Sequence, residues 1–239
     1  MELDLKMLDA VIFDKDGTLF DFCASWGAWT DNVLAEFAAD RDGVRRLGAV
    51  LGYDPDSQSF APNSPVVSMT TPEIAAILHP HLGGITLVAL NARLNALSAA
   101  APMLPAVPLR AVLSALRARG LRLGLATNDT EHPARVHLAE AGVLDLFDFV
   151  VGCDSGWGGK PAPGQLLEFV RRFDLTPSRV AMVGDSLHDL DAGRAAGMHA
   201  VAVLTGIATR DELAAHADVV LDNIGAIGGW IDRGARREA

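Results

Sequence analysis

The sequence contains little cysteine and little lysine, and it has no long hydrophobic run. Its two cysteines, Cys23 and Cys153, are too far apart in the chain to form a metal-site or redox motif, which favours a reducing compartment. No stretch reaches the roughly 18 consecutive apolar residues expected of a membrane span. The first residues are acidic and lack the basic start and apolar run of a signal peptide. We therefore expect a cytoplasmic protein without a membrane partner.

Acidic residues outnumber basic ones, 30 against 20, and the formal net charge is −10. This charge argues against nucleic acid as a partner, because nucleic acid is bound through basic patches. It does not argue against a small anionic substrate, since a metal ion and a few local cations can reverse the sign of the charge inside one cleft. Lysine occurs at three positions, Lys6, Lys15 and Lys160, so each of them carries information.

Short apolar runs rich in β-branched residues alternate along the chain with helix-like segments. The predicted strands are Ala10 to Phe13, Leu121 to Thr127, Phe149 to Val151, Val180 to Val183, Ala200 to Val203 and, as a sixth, Val219 to Leu221. The predicted helices between them are Leu109 to Arg119, Pro133 to Ala141, Pro163 to Phe173 and Leu187 to Ala196. This alternation predicts an α/β fold with a Rossmann-like parallel sheet and helices on both faces.

The interval from about residue 20 to residue 104 interrupts the alternation. Its predicted elements are a helical pattern reaching Leu51, a loop from Tyr53 to Met69, a capping box at Thr70 to Glu73, and helices at Ile74 to Leu78 and Leu87 to Leu97. The interval is too long for a simple connection between a strand and a helix. We predict a core domain of residues 1–19 and 105–239, with a helical cap domain of residues 20–104 inserted after the first strand.

Polar side chains follow four of the predicted strands at the point where each strand ends. Because ligands of open parallel sheets bind beyond the carboxyl ends of the strands, these side chains should meet in one cleft. Asp14 and Asp16 would be costly to bury there unless they are paired or bound to a metal. In chain order, the clusters are Asp14-Lys15-Asp16-Gly17-Thr18, Thr127-Asn128-Asp129, Lys160-Pro161, and Gly184-Asp185-Ser186 followed by Asp189.

The four clusters, in this order, resemble the motifs of the haloacid dehalogenase superfamily, specifically its phosphatases with a helical C1-type cap. The resemblance spans residues 14 to 189, and its most specific part is Asp-Lys-Asp-Gly-Thr-Leu at residues 14–19. Within the superfamily, the chain is most similar to the phosphoglycolate phosphatases. It departs from the usual pattern at Lys15, where the family more often has an apolar residue. Alternation at a strand end predicts that the Lys15 side chain points away from the nucleophile, and a role facing the cap stays open.

The resemblance implies a role for each matched residue. Asp14 would be the nucleophile that becomes an aspartyl-phosphate, and Asp16 would be the general acid and base. Thr127 and Lys160 would also take part in catalysis, Thr127 by holding phosphoryl oxygens and Lys160 by balancing the charge between nucleophile and phosphate. The implied phosphate-binding residues are Gly17, Thr127, Asn128 and Lys160.

The resemblance also implies Mg²⁺ as the cofactor, because Mg²⁺ favours octahedral oxygen ligation with retained waters, which a few carboxylates and a phosphate can supply. Its implied ligands are Asp14, the backbone carbonyl of Asp16, and Asp185, with Asp189 supporting them. The implied substrate is a small phosphorylated metabolite, with phosphoglycolate first and sugar phosphates or a nucleotide next. The protein would be a monomer or a homodimer.

Other functions of the same superfamily remain to be weighed. A sugar phosphomutase would keep the same four clusters, and a binding or regulatory module could keep the fold after losing activity. A dehalogenase would not need Asp16 and Asp185, because it has no alkoxide to protonate and no metal. A phosphonatase of this superfamily uses a cap lysine, and residues 20–104 contain none.

Several conspicuous residues are predicted to be structural. Trp26, Trp29 and Phe37 recur at helical spacing, which favours the core of the cap over a substrate cage. His188 is expected on a helix surface, although it is a neighbour of Asp189 in the sequence.

Overall fold

A computed structural model describes residues 8–61 and 63–236 of the chain. Residues 1–7, which belong to the predicted core domain and carry the acidic start used to predict location, lie outside the described residues. Pro62 of the predicted loop lies outside them as well. Within the described part of the chain, every helix is too short or too polar to cross a membrane.

Six parallel strands and one small hairpin make up the β-structure of the described residues. The strands are β1 (Ala10–Phe13), β2 (Tyr53–Asp54), β3 (Ser59–Phe60), β4 (Arg122–Ala126), β5 (Phe149–Val151), β6 (Val180–Gly184), β7 (His199–Val203) and β8 (Val219–Leu221). The parallel sheet has the order β5-β4-β1-β6-β7-β8, so β1 is central and is paired on both sides. The six predicted strands and the predicted fold class are confirmed, with strand ends shifted by one residue at most.

Helices cover both faces of this sheet. The helices are α1 (Phe22–Phe37), α2 (Arg41–Val50), α3 (Pro65–Ser68), α4 (Thr71–Leu78), α5 (Leu87–Ala99), α6 (Leu109–Ala118), α7 (Glu131–Glu140), α8 (Gly164–Phe173), α9 (Leu187–Ala195), α10 (Arg210–Ala214) and α11 (Ile227–Arg236). Val11 and Phe13 of β1 share a hydrophobic cluster with α6, α7 and α11. Ala10 and Ile12 share another with α8 and α9 on the opposite face, as the two-residue period of a strand requires.

The segment between β1 and β4 packs around a hydrophobic cluster of its own, which includes Trp29, Val33 and Leu90. The helical pattern predicted to reach Leu51 is divided into α1 and α2, because the Asp40 side chain accepts a hydrogen bond from the backbone N–H of Gly43 and starts a second helix. The predicted loop from residue 53 to residue 69 was wrong in part, since it contains the β2–β3 hairpin and α3.

The chain enters and leaves this helical segment along two adjacent paths. The backbone N–H of Asp21 donates to the carbonyl of Leu104 at 2.8 Å, and that of Ala106 donates to the carbonyl of Leu19 at 2.9 Å. The two connections are therefore hydrogen-bonded to each other directly above the end of β1.

Candidate active site

The carboxyl edge of the sheet brings the predicted polar clusters into one cleft. Asp14 follows β1, Thr127 follows β4 and Asp185 follows β6, and these three strands are neighbours in the sheet. The core-side residues that line the cleft include Asp14, Asp16, Thr127, Asn128, Lys160, Asp185 and Asp189. Seven of the eight predicted site residues therefore line a single cleft, and the eighth, Gly17, packs against Asp185 behind it.

Three buried carboxylates form the floor of this cleft. One oxygen from each of Asp14, Asp185 and Asp189 lies within 4.8 Å of the other two. Lys160 Nζ donates to Asp14 Oδ1 and to Asp189 Oδ1, at 2.5 Å in each case. One ammonium group thus faces three carboxylates, which leaves the cluster short of positive charge.

The pKa values of the cluster reflect this imbalance. Burial raises the pKa of Asp14 to about 7, with Lys160 acting in the opposite direction and Asp189 adding to the increase. Burial and the neighbouring carboxylates Asp189 and Asp14 also raise the pKa of Asp185 well above its ordinary value. A divalent cation would relieve both effects, and a set of carboxylate oxygens is the donor chemistry that Mg²⁺ prefers. The residues present therefore fit Mg²⁺.

Two glycines allow the backbone to approach Asp185 closely. A Cβ on Gly17, whose φ is +79°, would lie 2.2 Å from Asp185 Oδ2, and a Cβ on Gly206 would lie 1.7 Å from it. Thr205 Oγ1 donates to the Gly17 carbonyl at 2.6 Å, which ties the loop after β7 to the loop after β1. Thr205 and Gly206 were not predicted as site residues, although they follow a predicted strand end as the other clusters do.

Asn128 holds the backbone of Lys160 in place. Its Oδ1 accepts a hydrogen bond from the Lys160 N–H at 2.7 Å, and its Nδ2 donates to the Lys160 carbonyl at 2.9 Å. The Thr127 hydroxyl oxygen accepts from the Asp129 N–H at 3.0 Å, which leaves the hydroxyl hydrogen to donate elsewhere.

Lys15 is fully buried beside Asp16. Its Nζ lies 2.9 Å from Asp16 Oδ1, 3.1 Å from Asp129 Oδ2 and 3.0 Å from His137 Nδ1. Burial raises the pKa of Asp16, and Lys15 opposes that rise. Burial and Lys15 together lower the pKa of His137 to about 4, so this imidazole is neutral at pH 7 and its Nδ1 accepts from Lys15.

The same network joins the core to the helical segment. The Ser98 hydroxyl on α5 donates to Asp129 Oδ2 at 3.0 Å, and His137 Nε2 donates to the Ser98 carbonyl at 2.8 Å. Thr130 Oγ1 donates to Asn95 Oδ1 at 2.8 Å. The Lys15 side chain therefore belongs to a network that faces the helical segment, the role that the sequence left open. Its partners Asp129 and His137 in the core were not identified from the sequence.

The helical segment supplies one wall of the cleft, and this wall is mostly apolar. Among the described side chains of this segment on the wall, Thr71 carries a hydroxyl, and the apolar members include Phe22, Trp26, Trp29, Val66, Met69 and Ile74. Trp26 and Trp29 belong to the hydrophobic cluster, as predicted, but they also line the cleft. His188 also lines the cleft with its Nδ1 buried, so its predicted place on a helix surface was wrong.

A family model for haloacid dehalogenase-like hydrolases matches residues 8–197 of the chain. Among curated relatives, a phosphoglycolate phosphatase of Nitrosospira multiformis is 46% identical over 39% of this chain and 41% of its own length. One of Rhodospirillum rubrum is 36% identical over 51% of this chain and 50% of its own length, so the chain spans about half or less of these relatives. An N-acetylmuramic acid 6-phosphate phosphatase of Pseudomonas aeruginosa is 27% identical over 90% of this chain and 91% of its own length.

Solved structures share the fold over nearly the whole chain. A predicted phosphoglycolate phosphatase of Haemophilus somnus has a TM-score of 0.68 at 18% identity and covers 94% of this chain and 98% of its own. A β-phosphoglucomutase of Clostridium difficile has a TM-score of 0.66 at 18% identity, covering 97% of this chain and 99% of its own. At these identities the likeness concerns the fold alone.

Proposed function

Because the chain belongs to the haloacid dehalogenase-like hydrolases, we propose that it is a phosphatase that hydrolyses a small phosphomonoester. The observation that carries the proposal is the contact of Lys160 with Asp14 inside the cleft that Asp16 and Asp185 also line. That set combines a nucleophile, a group for proton transfer, and charge for holding a phosphate.

We assign the chemical step to Asp14. Its carboxylate oxygen attacks phosphorus and forms an aspartyl-phosphate, while the bond from phosphorus to the leaving oxygen breaks. Asp16 donates its proton to that leaving oxygen and later accepts a proton from the water that attacks the aspartyl-phosphate. The raised pKa of Asp16 supports this assignment, since an acid must still hold its proton when the substrate binds.

The phosphoryl oxygens would be held by the remaining groups of the cleft floor. The Thr127 hydroxyl has a hydrogen free to donate, and the Lys160 ammonium lies beside Asp14. Asn128 acts on the phosphate through Lys160, whose backbone it fixes, and Gly17 acts through Asp185, against which it packs. Each predicted residue thus has a role, and two of them, Asn128 and Gly17, act through a neighbouring residue.

Asp14, the Asp16 carbonyl and Asp185 would hold Mg²⁺, which would supply positive charge to the phosphate and to the carboxylates. Asp189 would support these ligands from behind, because its oxygens already accept hydrogen bonds from Lys160 and from Ser186.

The helical segment of residues 20–104 would serve as the cap over a core of residues 1–19 and 105–239. Its separate hydrophobic cluster and its two adjacent connections to the core support this division. A cap limits the size of the group that can occupy the cleft. Phosphoglycolate is the substrate that the names of the first two relatives suggest, and it serves as the reference compound in the substrate tests.

The test is release of inorganic phosphate from p-nitrophenyl phosphate and from a panel of phosphorylated metabolites, with and without Mg²⁺. We expect Mg²⁺-dependent release that disappears in Asp14→Asn. Conversion of a sugar phosphate into its isomer with little phosphate release would instead identify a phosphomutase. Binding of phosphate compounds without any turnover would identify an inactive binding module.

A further inference from the structure

The residues that the helical segment contributes to the cleft wall indicate which organic group the substrate has. We propose that the cleft takes a phosphomonoester whose organic group is uncharged and mostly apolar and carries a hydrogen-bond acceptor, in preference to a carboxylate such as phosphoglycolate. This inference rests on the proposed phosphatase function, which places the phosphate at the carboxylate floor. The organic group would then face the wall that the helical segment supplies, where Trp26, Trp29 and Ile74 lie.

Positive charge is scarce on the lining of the cleft. A substrate carboxylate in a buried cleft needs a cation or several donors to replace its water. Of the described lysines and arginines, Lys160 alone lines the cleft, and it is shared by Asp14 and Asp189. Lys15, which lies nearby, already forms ion pairs with Asp16 and Asp129. No described cation is therefore left for a second anionic group.

His188 is the remaining basic side chain on the lining. It lies close enough to Glu73 of α4 to interact with that carboxylate, which also accepts two hydrogen bonds from Thr70. The five carboxylates on the lining, which are Asp14, Asp16, Asp129, Asp185 and Asp189, would in addition repel an anionic group.

The two indole groups on the wall also bear on the chemistry of the organic group. Trp26 Nε1 and Trp29 Nε1 are buried and have no hydrogen-bond partner among the described residues, and the two residues are 7% and 1% exposed. Buried donors without a partner are rare in folded proteins and call for an explanation. Trp26 interacts with Asp16 and lowers its pKa, although it falls short of a full hydrogen bond. The Trp29 N–H has no such neighbour, and a carbonyl or hydroxyl oxygen of the substrate would satisfy it.

The two rings are packed edge to face, with centroids 5.0 Å apart. They sit in the same hydrophobic cluster as Phe22 and Ile74, which also line the wall. The wall is therefore a packed apolar surface, which would select the shape of the organic group as well as its lack of charge.

The test compares two isosteric substrates with the full chain and Mg²⁺: phosphoglycolate and its amide, 2-amino-2-oxoethyl phosphate. We expect kcat/KM to favour the amide by at least about tenfold, because like charges facing each other in a cleft are costly. Equal values, or a preference for phosphoglycolate, would overturn the inference.

The Trp29 donor is tested with Trp29→Phe, which keeps an aromatic ring and removes the N–H. The ratio of kcat/KM for the amide to that for n-propyl phosphate should fall about fivefold, the effect of one hydrogen bond. A general weakening of the fold would lower both values and leave the ratio as it was. Trp230→Phe, at a buried site on α11 away from the cleft, is the matched control and should not change the ratio. An unchanged ratio in Trp29→Phe would mean that the Trp29 N–H does not donate to the substrate.

Calorimetric binding of the same two phosphates to Asp14→Asn separates this inference from the proposed function. If the wild type released phosphate from no compound, the phosphatase would be refuted, and tighter binding of the amide to Asp14→Asn would still support the preference of the wall. Tighter binding of phosphoglycolate would refute the preference whatever the wild-type activity.

Discussion

Lys15 Nζ lies 2.9 Å from Asp16 Oδ1, so the residue between the two aspartates of the first cluster is a direct ion-pair partner of the second one. Asp129 holds the same ammonium from the other side at 3.1 Å. Asp16, the proposed proton-transfer residue, is therefore anchored to the core through a side chain adjacent to it in sequence. Through Asp129 it is also connected to Ser98 of the helical segment.

Removal of Lys15 should destabilise the protein. In Lys15→Met, Asp16 and Asp129 lose their cation in a buried setting, and such a loss costs about 3–5 kcal/mol of unfolding free energy. Urea denaturation of the variant and the wild type measures this difference. Lys15→Met combined with Asp129→Asn should recover part of the loss, because the unpaired buried charge is gone. A change below about 1 kcal/mol in the single variant would mean that the network contributes little to stability.

Asp14→Asn should abolish turnover and leave the fold intact. Asparagine keeps the shape but cannot form the acyl phosphate, and the variant removes one of three crowded carboxylates. We expect no phosphate release and an unfolding midpoint at pH 7 that is unchanged or higher. Asp222→Asn, at a side chain 85% exposed, is the control and should behave as the wild type. Mass spectrometry after rapid quenching should find phosphate on residue 14 of the wild type, and turnover without such an adduct would contradict the assignment.

Asp16→Asn should affect substrates unequally. An alkyl phosphate needs its leaving oxygen protonated, whereas p-nitrophenolate leaves without help. The loss in kcat/KM should therefore be much larger for phenyl or alkyl phosphates than for p-nitrophenyl phosphate. Equal losses across the series would count against proton donation by Asp16.

The sheet and most of the cleft could be predicted from the sequence for a simple physical reason. Each strand is a short apolar run, and parallel strands place the residues that follow them, such as Asp14, Thr127 and Asp185, at one edge. The Lys15 network could not be found in this way, because His137 is 122 residues from Lys15 and only folding brings them together. The dual position of Trp29, in a hydrophobic cluster and on the cleft wall, was missed because helical spacing identifies a buried face but not what that face meets.

Chelation with EDTA should stop activity, and added Mg²⁺ should restore it. Mg²⁺ should also raise the thermal unfolding midpoint, because it offsets the charge of the buried carboxylates that Lys160 balances only in part. Asp185→Asn should reduce that shift, and NaCl of matched ionic strength is the control. Activity that is indifferent to EDTA would dismiss the metal.

The neutral His137 should make stability depend on pH. Burial lowers its pKa from 6.5 to about 4, so between these values the unfolded chain binds a proton that the folded chain does not. The contribution of this residue is present above pH 6.5 and is lost as the pH falls towards 4. The wild type should therefore lose more stability between pH 7 and pH 5 than His137→Gln does, as urea denaturation at both values would measure. The opposite order would mean that the folded protein holds His137 protonated.

β1 lies in the centre of the sheet, and this position protects its backbone. The strand is hydrogen-bonded on both sides and its residues are 0% exposed, so its amides should be among the slowest to exchange with deuterium. The aromatic wall belongs to helices that lie outside the sheet, so substitutions there leave the pairing of β1 untouched. Such substitutions can accordingly alter the choice of ligand while Asp14 keeps its place at the end of the protected strand.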